Sequence, residues 1–342
     1  MQTSTTSDPT LLTVILNYRT APMTLRATEA ALAAMDGIAG EIVIVDNDSR
    51  DGSDETIRNH IADAGWDRND RVRLLQSGHN GGFGAGNNVG IRAGLSDGSR
   101  PDFIYVQNSD AFPEPEAIRV LLNHLVAHPE TAFAGSYIHG EDGVAHTSAF
   151  RFPSILSEFE SAIRFGPVSR LLARHRVPIE TPRDGQSVDW LAGASLMMRQ
   201  SVLDEVGLFD ETFFLYFEET DLCRRVRLAG HEIIFLRDSV VTHIGSVSTG
   251  MKTWSRVPDY WYDSRWHYFA KNHGALYAGL ATLAHLTGGG LCWLRATLTR
   301  KKREVSPQFL RSMARHDLAA LRRRLLSPAK RDARPLPPQP GE

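Results

Sequence analysis

Cysteine is almost missing: the 342 residues include two, Cys223 and Cys292, set far apart. That excludes a disulfide framework and a cysteine zinc site, and it fits a reducing compartment. An excess of one charge is missing too. The chain carries 38 Lys/Arg against 40 Asp/Glu, a net charge of −2 that gives no global nucleic-acid character. The opening MQTSTTSDPT has neither a basic nor an apolar stretch, so no signal peptide is expected. Long apolar runs are limited to ALYAGLATLAHLTGGGLCWL (275–294), which has the length of a span but holds His285 and Gly288–Gly290. A buried or interfacial helix is expected there. No G-x-x-x-x-G-K-[ST] occurs, so a P-loop is excluded. The glycine-rich GHNGGFGAGNNVG (78–90) also fails the dinucleotide template G-x-G-x-x-G. Its third glycine would fall on Val89 or, one register earlier, on Asn87. What remains is either a tight turn or a flexible backbone that leads into a helix N-terminus and lets a ligand approach closely.

A period is present in the first third. Apolar, β-branched runs begin at Leu11, Glu41, Val72 and Asp102, spaced by 30, 31 and 30 residues. Helix-like segments lie between them: one opens with Pro22, one has Ser53 as N-cap with Asp54 and Glu55 in its first turn, and one covers about 86–95. This rhythm predicts βαβ units and a mostly parallel sheet flanked by helices, an α/β fold. Each run ends in polar groups: Asn17-Tyr18, Asp46-Asn47-Asp48, His79-Asn80 and Asn108-Ser109-Asp110. In an open α/β sheet such ends share one edge, where ligands bind.

The stretch FFLYFEETDLCRR (213–225) places three acids behind an apolar run. A helix over 219–229 with Gly230 past its end is expected. At about 100° per residue, Leu222, Cys223, Val226 and Ala229 share a face with Glu219. Glu218 falls at the edge of that face, and Asp221 falls opposite, four residues before Arg225. Asp221 with Arg224 and Arg225 therefore reads as a charged helix surface. Glu219 does not, because an inward carboxylate is costly without a partner or a task. Burial would raise its pKa and the helix N-terminus would lower it, a tension typical of a general base.

In order, VILNYRT, VDNDSRDGS (45–53), HNGGFGAGNN (79–88), QNSD (107–110), the block from Trp190 to Gly230 and VTHIGSVST (241–249) resemble an inverting family 2 nucleotide-sugar glycosyltransferase of GT-A fold. The resemblance is nearest to bacterial rhamnosyltransferases and covers about 11–270. It implies a Rossmann-like central sheet with a C-terminal helical extension. It implies a nucleotide-diphosphate donor of dTDP or UDP type, with dTDP-L-rhamnose the first choice, and a glycan or polyprenyl-diphosphate-linked acceptor. It implies that Asn17, Asp46, Asn80, Gly82, Asn87, Asn108 and Asp110 serve the donor, with Asp46 on the pyrimidine ring. Asp110 closes the segment that is usually D-x-D, whose last acid holds a divalent cation, Mg²⁺ or Mn²⁺. Asn108 replaces the first acid, so one charged ligand of that pattern is missing. His243 matches a further metal contact in some relatives, and is otherwise a structural histidine. The pattern Y-F-E-D-x-D-L makes Glu219 the base, although it stands where the family has aspartate, shifting the carboxylate by roughly 1.5 Å. Glu218 is the runner-up. Trp190 is either a wall for the sugar or core. YDSRW (262–266) is similar to Q-x-x-R-W of processive synthases with Tyr262 in place of glutamine, so transfer is read as distributive and Arg265 as a partner for phosphate. A nucleotidyltransferase would want a basic G-x-G-T-R-type loop after the first strand, which NYRTA (17–21) is not. The other alternative is a degenerate scaffold subunit, supported by Asn108 alone.

The expected organisation is a disordered 1–10, a catalytic domain over 11–250 and a helical extension over 251–328, with a disordered tail over 329–342. Within the catalytic domain, 11–112 is the nucleotide half and 113–250 the acceptor half. Residues 300–342 carry 12 Lys/Arg against 4 Asp/Glu, and 1–299 carry 26 against 36. A basic tail behind an apolar helix suggests an anionic membrane surface. Phe309, Leu310, Met313, Leu321 and Leu325 form a second amphipathic stretch, which a membrane or a homodimer explains equally well. The expected location is the cytoplasm, with the tail on the cytoplasmic face of the inner membrane.

Overall fold

A computed structural model describes residues 8–180, 182–245, 256–299 and 307–326. The expectations for 1–7, for the end of VTHIGSVST and for 329–342 fall outside them. The first third alternates as the spacing predicts: β1 (Leu11–Asn17), α1 (Ala21–Ala34), β2 (Gly40–Asp46), α2 (Ser53–Asp63), β3 (Val72–Gln76), α3 (Gly82–Ala93) and β4 (Phe103–Asn108). There follow β5 (Ala111–Pro113), α4 (Ala117–Ala127), β6 (Thr131–His139), β7 (Ala145–His146), β8 (Ala149–Phe150), α5 (Ile155–Ile163) and α6 (Gly166–Leu171). The chain continues through β9 (Gln186–Ser187), β10 (Trp190–Leu191), β11 (Ser195–Arg199), α7 (Gln200–Val206), α8 (Glu218–Leu228) and β12 (Glu232–His243). It closes with α9 (Asp259–His273), α10 (Ala275–Leu298) and α11 (Pro307–Leu326).

The main sheet runs β3-β2-β1-β4-β11-β6-β12-β5. Strands β1 to β4 are parallel, and β11 enters antiparallel between β4 and β6. Both faces are covered. Leu12, Val14, Val43 and Val45 point into one core with α3 and α8, and Leu11, Ile15, Ile42 and Ile44 into the other, under α1, α2 and α4. The parallel register aligns the strand ends: Asn17 pairs with Asp46, Asp46 with Gln76, and Leu16 with Asn108. This alignment is what gathers the polar residues at one edge.

Two local expectations change. Gly52 (φ +84°), not Ser53, is the N-cap of α2, and Asp51 accepts from the Ser53 N–H at 3.1 Å. The glycine run is not a flexible lead-in but helix α3 itself. Its glycines admit the sheet: a Cβ on Gly86 would lie 2.4 Å from the Leu16 side chain, and one on Gly90 2.6 Å from Val14. Beyond the sheet, α9, α10 and α11 form the extension, around Phe213, Trp266, Tyr268, Phe269, Ala278 and Ala281.

Candidate active site

The polar strand ends form three linked clusters. In the first, the Asn17 amide donates to Asp46 at 2.7 Å and accepts from Thr24 at 2.7 Å. Asp46 also accepts from the Ser49 hydroxyl and backbone N–H. Asn17, Asp46 and Ser49 are all buried. Thr20 passes the network on to Ser109, the two hydroxyls standing 3.3 Å apart.

The second cluster is at the end of β4. Asp110 Oδ1 lies 3.1 Å from His243 Nε2, and Asn108 Nδ2 lies 3.3 Å from the same nitrogen. Antiparallel pairing of β5 with β12 sets His243 opposite Ala111, which brings the two segments together. Adjacent ligands of an octahedral ion at about 2.1 Å are about 3 Å apart, so this oxygen and nitrogen fit two neighbouring positions on one cation. No group of three His, Cys, Asp or Glu that could hold a metal ion occurs among the described residues. Asp110 and His243 alone would supply two ligands, and a cation held there would need others.

The third cluster joins β3 to α8. Asn80 Oδ1 accepts from Asn47 Nδ2 at 2.9 Å and from the Gly82 N–H at 3.1 Å. Gly82 has φ +90°, and a Cβ there would lie 1.8 Å from the Phe214 carbonyl oxygen, which accepts from Phe83 N–H at 2.9 Å. Asn88 reinforces this seam through Phe209 and Glu211. The Asn87 amide donates to the Phe83 carbonyl, and its oxygen is buried without a partner, as is that of Asn47.

Docked on that seam, the chain takes two consecutive left-handed residues, Tyr216 (φ +71°) and Phe217 (φ +70°), and enters α8. Non-glycine residues in this region cost about 1–3 kcal/mol each and persist where surroundings impose them. Arg19, Asp48 and Arg50, in the loops after β1 and β2, are also left-handed. Asp70 and Arg164 are left-handed as well, away from this edge, so among the described residues five of the seven non-glycine cases lie in the loops around the candidate site.

The turn delivers Glu218 and Glu219. Glu218 is 2% exposed and Glu219 is half-buried, and each has one carboxyl oxygen without a hydrogen-bond partner. Burial pushes the Glu219 carboxyl up to about 7, against the pull of its own N–H and that of Gly193. Burial and the neighbouring Glu219 push Glu218 well above the usual carboxylate range. Cys223, one turn on, is held up to about 12 by burial and is inert as a nucleophile.

Asp221 corrects the sequence reading. Its pair with Arg225 exists at 3.0 Å, but Asp221 is fully buried rather than on a surface. It also accepts from Lys271 at 2.7 Å and Asn272 at 3.0 Å. Helix α9 covers the side of α8 that a single-neighbour wheel assigns to solvent.

Trp190 and Arg265 both have partners within the fold. Trp190 stacks on Phe150 with ring centres 3.9 Å apart and donates to the Arg151 carbonyl at 3.0 Å, so one of its faces is occupied. Arg265 is not brought to the strand ends. It is 1% exposed inside the extension, paired with Glu158 at 2.9 Å and Asp317 at 3.0 Å, and bonded to Thr282 at 3.2 Å. Its charge is already met by two carboxylates, which removes the expected pairing with phosphate. Sequence reasoning passed over Ser49, Thr20 and Gly193. The first two lie three residues after Asp46 and Asn17, whereas nothing local marks Gly193.

Residues 13–207, more than half of the chain, match the model described as Glycosyl transferase family 2. A curated relative, the N-acetylglucosaminyl-diphospho-decaprenol L-rhamnosyltransferase of Mycobacterium tuberculosis, is 29% identical over 281 residues, 77% of this chain and 86% of its own. The rhamnosyltransferase WbbL of Escherichia coli K12 is 28% identical over 153 residues, 44% of this chain and 55% of its own. Among solved structures, S. aureus TarS in complex with UDP-GlcNAc superposes with a TM-score of 0.54 at 14% identity, over 90% of this chain and 80% of that one. At that identity the likeness concerns the fold.

Proposed function

The chain belongs to glycosyl transferase family 2, related to bacterial rhamnosyltransferases, and we propose that it transfers L-rhamnose with inversion from dTDP-rhamnose to a hydroxyl of a polyprenyl-diphosphate-linked glycan. One observation carries the mechanism: two adjacent carboxyls at the start of α8, one buried and one half-buried, delivered by a strained turn beside the edge where four strands end. Glu219 is the general base. It is the less buried of the two, it is oriented by the Gly193 N–H, and its pKa of about 7 lets it be ionised yet basic near neutrality. Glu218, held protonated by burial and its neighbour, adds no second charge.

Asp46, fixed by Asn17 and Ser49, receives the pyrimidine ring within the nucleotide half (11–112). Asn47, Asn80 and Asn87 present amides beside the Gly82 turn. Asp110 and His243 would hold a Mg²⁺ or Mn²⁺ ion, which when bound supplies positive charge to a diphosphate leaving group. The second half (113–250) contributes Gly193 and α8, with the half-buried Trp190 on the side of the sugar. Glu219 removes the proton from the acceptor hydroxyl as that oxygen attacks the anomeric carbon from the side opposite the diphosphate. One base and one stabilised leaving group suffice, and no second carboxylate is required on the other face.

A thermal-shift panel tests the reading, with dTDP-, UDP- and GDP-sugars, with and without Mn²⁺ or Mg²⁺, on wild type and Asp110→Ala. A pyrimidine donor at ~100 times its Kd should add about 2.7 kcal/mol of stability. The gain should need metal and vanish in the variant. No shift with any donor would contradict it.

A further inference from the structure

Helix α10 has the reverse of the packing expected of a helix in water. Its inward residues are small: Ala278, Ala281, Gly288, Gly289, Cys292 and Ala296 are buried. Two have no room for more. A Cβ on Gly288 would lie 2.7 Å from the Phe159 carbonyl oxygen of α5, and one on Gly289 would lie 2.8 Å from the Leu310 side chain of α11. The bulky residues face outward: Leu276, Leu283 and Leu298 are 80%, 60% and 75% exposed, and Leu280, Leu291 and Leu294 are exposed with them. An amphipathic helix in water turns its leucines to the core. Small residues toward protein and leucines outward is the arrangement of helices whose outer face meets lipid. No helix of the described residues is long and apolar enough to cross a membrane. Such a face would lie on a bilayer rather than span it. The amphipathic stretch of α11 is not this surface, because Met313 and Ala320 turn it inward.

Charge selects the occupant. Arg295 donates to the Arg164 carbonyl at 2.7 Å and lies over the Phe165 ring at 4.9 Å, so the α5–α6 edge adjoins the C-terminal half of α10. That edge exposes Phe165 and Leu171 together with Arg170 and Arg174. No Asp or Glu occurs over 161–179 or over 275–303. A second copy docked through the same face would bring one basic patch against another. A layer of anionic headgroups accepts the leucines and the arginines together. We propose that the outer face of α10, with the α5–α6 edge beside it, docks the protein on an anionic lipid surface. The contact does not depend on the transfer reaction or on its donor.

The test is co-sedimentation of the full chain with phosphatidylcholine vesicles, with and without phosphatidylglycerol. Binding is expected to the phosphatidylglycerol vesicles and to weaken as salt rises. The combined Leu280→Ser, Leu283→Ser, Leu294→Ser variant should lose about tenfold or more in partition, and Arg170→Ala with Arg174→Ala should also weaken it. Should the leucine variant fail to fold, the face is read in wild type. Quenching by brominated lipid, taken as the difference from Trp293→Phe, should report Trp293 at the acyl boundary. Vesicle binding indifferent to the leucines, an unquenched Trp293, or a dimer that the leucine variant dissolves without vesicle binding would each overturn the proposal.

Discussion

Glu218 and Glu219 are sequence neighbours that differ in how deeply α8 seats them, and the difference has a thermodynamic signature. The folded pKa of Glu219 is raised to about 7 from 4.5. A raised carboxyl pKa means that folding favours the protonated form. The associated stability is fully present below about pH 4.5 and is lost as pH rises through 7. Glu219→Gln should therefore stabilise the protein by on the order of 2 kcal/mol at pH 8 and by nothing measurable at pH 4. Urea unfolding at the two pH values checks this, and a variant less stable at pH 8 would contradict it. The helical wheel found Glu219 out of place on an apolar face. It set Glu218 at the edge and Asp221 in solvent, because a wheel shows one packing partner and α8 has two.

At the scale of elements, the seam between α3 and the Phe214 backbone positions the acids. Gly82→Ala would force a Cβ against the Phe214 carbonyl, whereas Gly78, also left-handed at φ +79°, faces open space. Gly82→Ala should cost at least about 2 kcal/mol and depress turnover, and Gly78→Ala about 1 kcal/mol from backbone strain alone. Equal costs for the two would show that the seam is not what matters. The strands were legible because β-branched runs recur at an even spacing and end in polar groups. The glycine run misled because low helix propensity argues for a loop, while a strand pressed against the helix demands the same residues.

Across the whole molecule, the extension is tied to the rest through buried charge. Arg265 on α9 meets Glu158 of α5, 107 residues away in sequence, and Asp317 of α11, 52 residues away. That separation is why YDSRW could be read as a phosphate contact: no local feature announces either carboxylate. Burial would raise the Glu158 carboxyl, but Arg265 and His285 outweigh it and hold the pKa at about 2. This contribution is present above about pH 4.5 and lost as acid approaches 2. Arg265→Ala should destabilise the protein by about 3–5 kcal/mol, since it leaves buried carboxylates unpaired. Donor affinity, measured by calorimetry, should be unchanged. A weakened donor with an intact fold would restore the phosphate role.

The most direct test of the account is the rate of the proposed transfer, from dTDP-rhamnose to a polyprenyl-diphosphate-linked glycan, against pH, for wild type, Glu219→Gln and Glu218→Gln. Wild-type kcat should rise with unit slope to a plateau above about pH 7. Glu218→Gln should keep that limb. Glu219→Gln should lose it, with kcat lower by about 10²–10⁴-fold and donor binding retained. A Glu219→Gln enzyme within tenfold of wild type, or a limb that disappears only with Glu218, would contradict the assignment of the base.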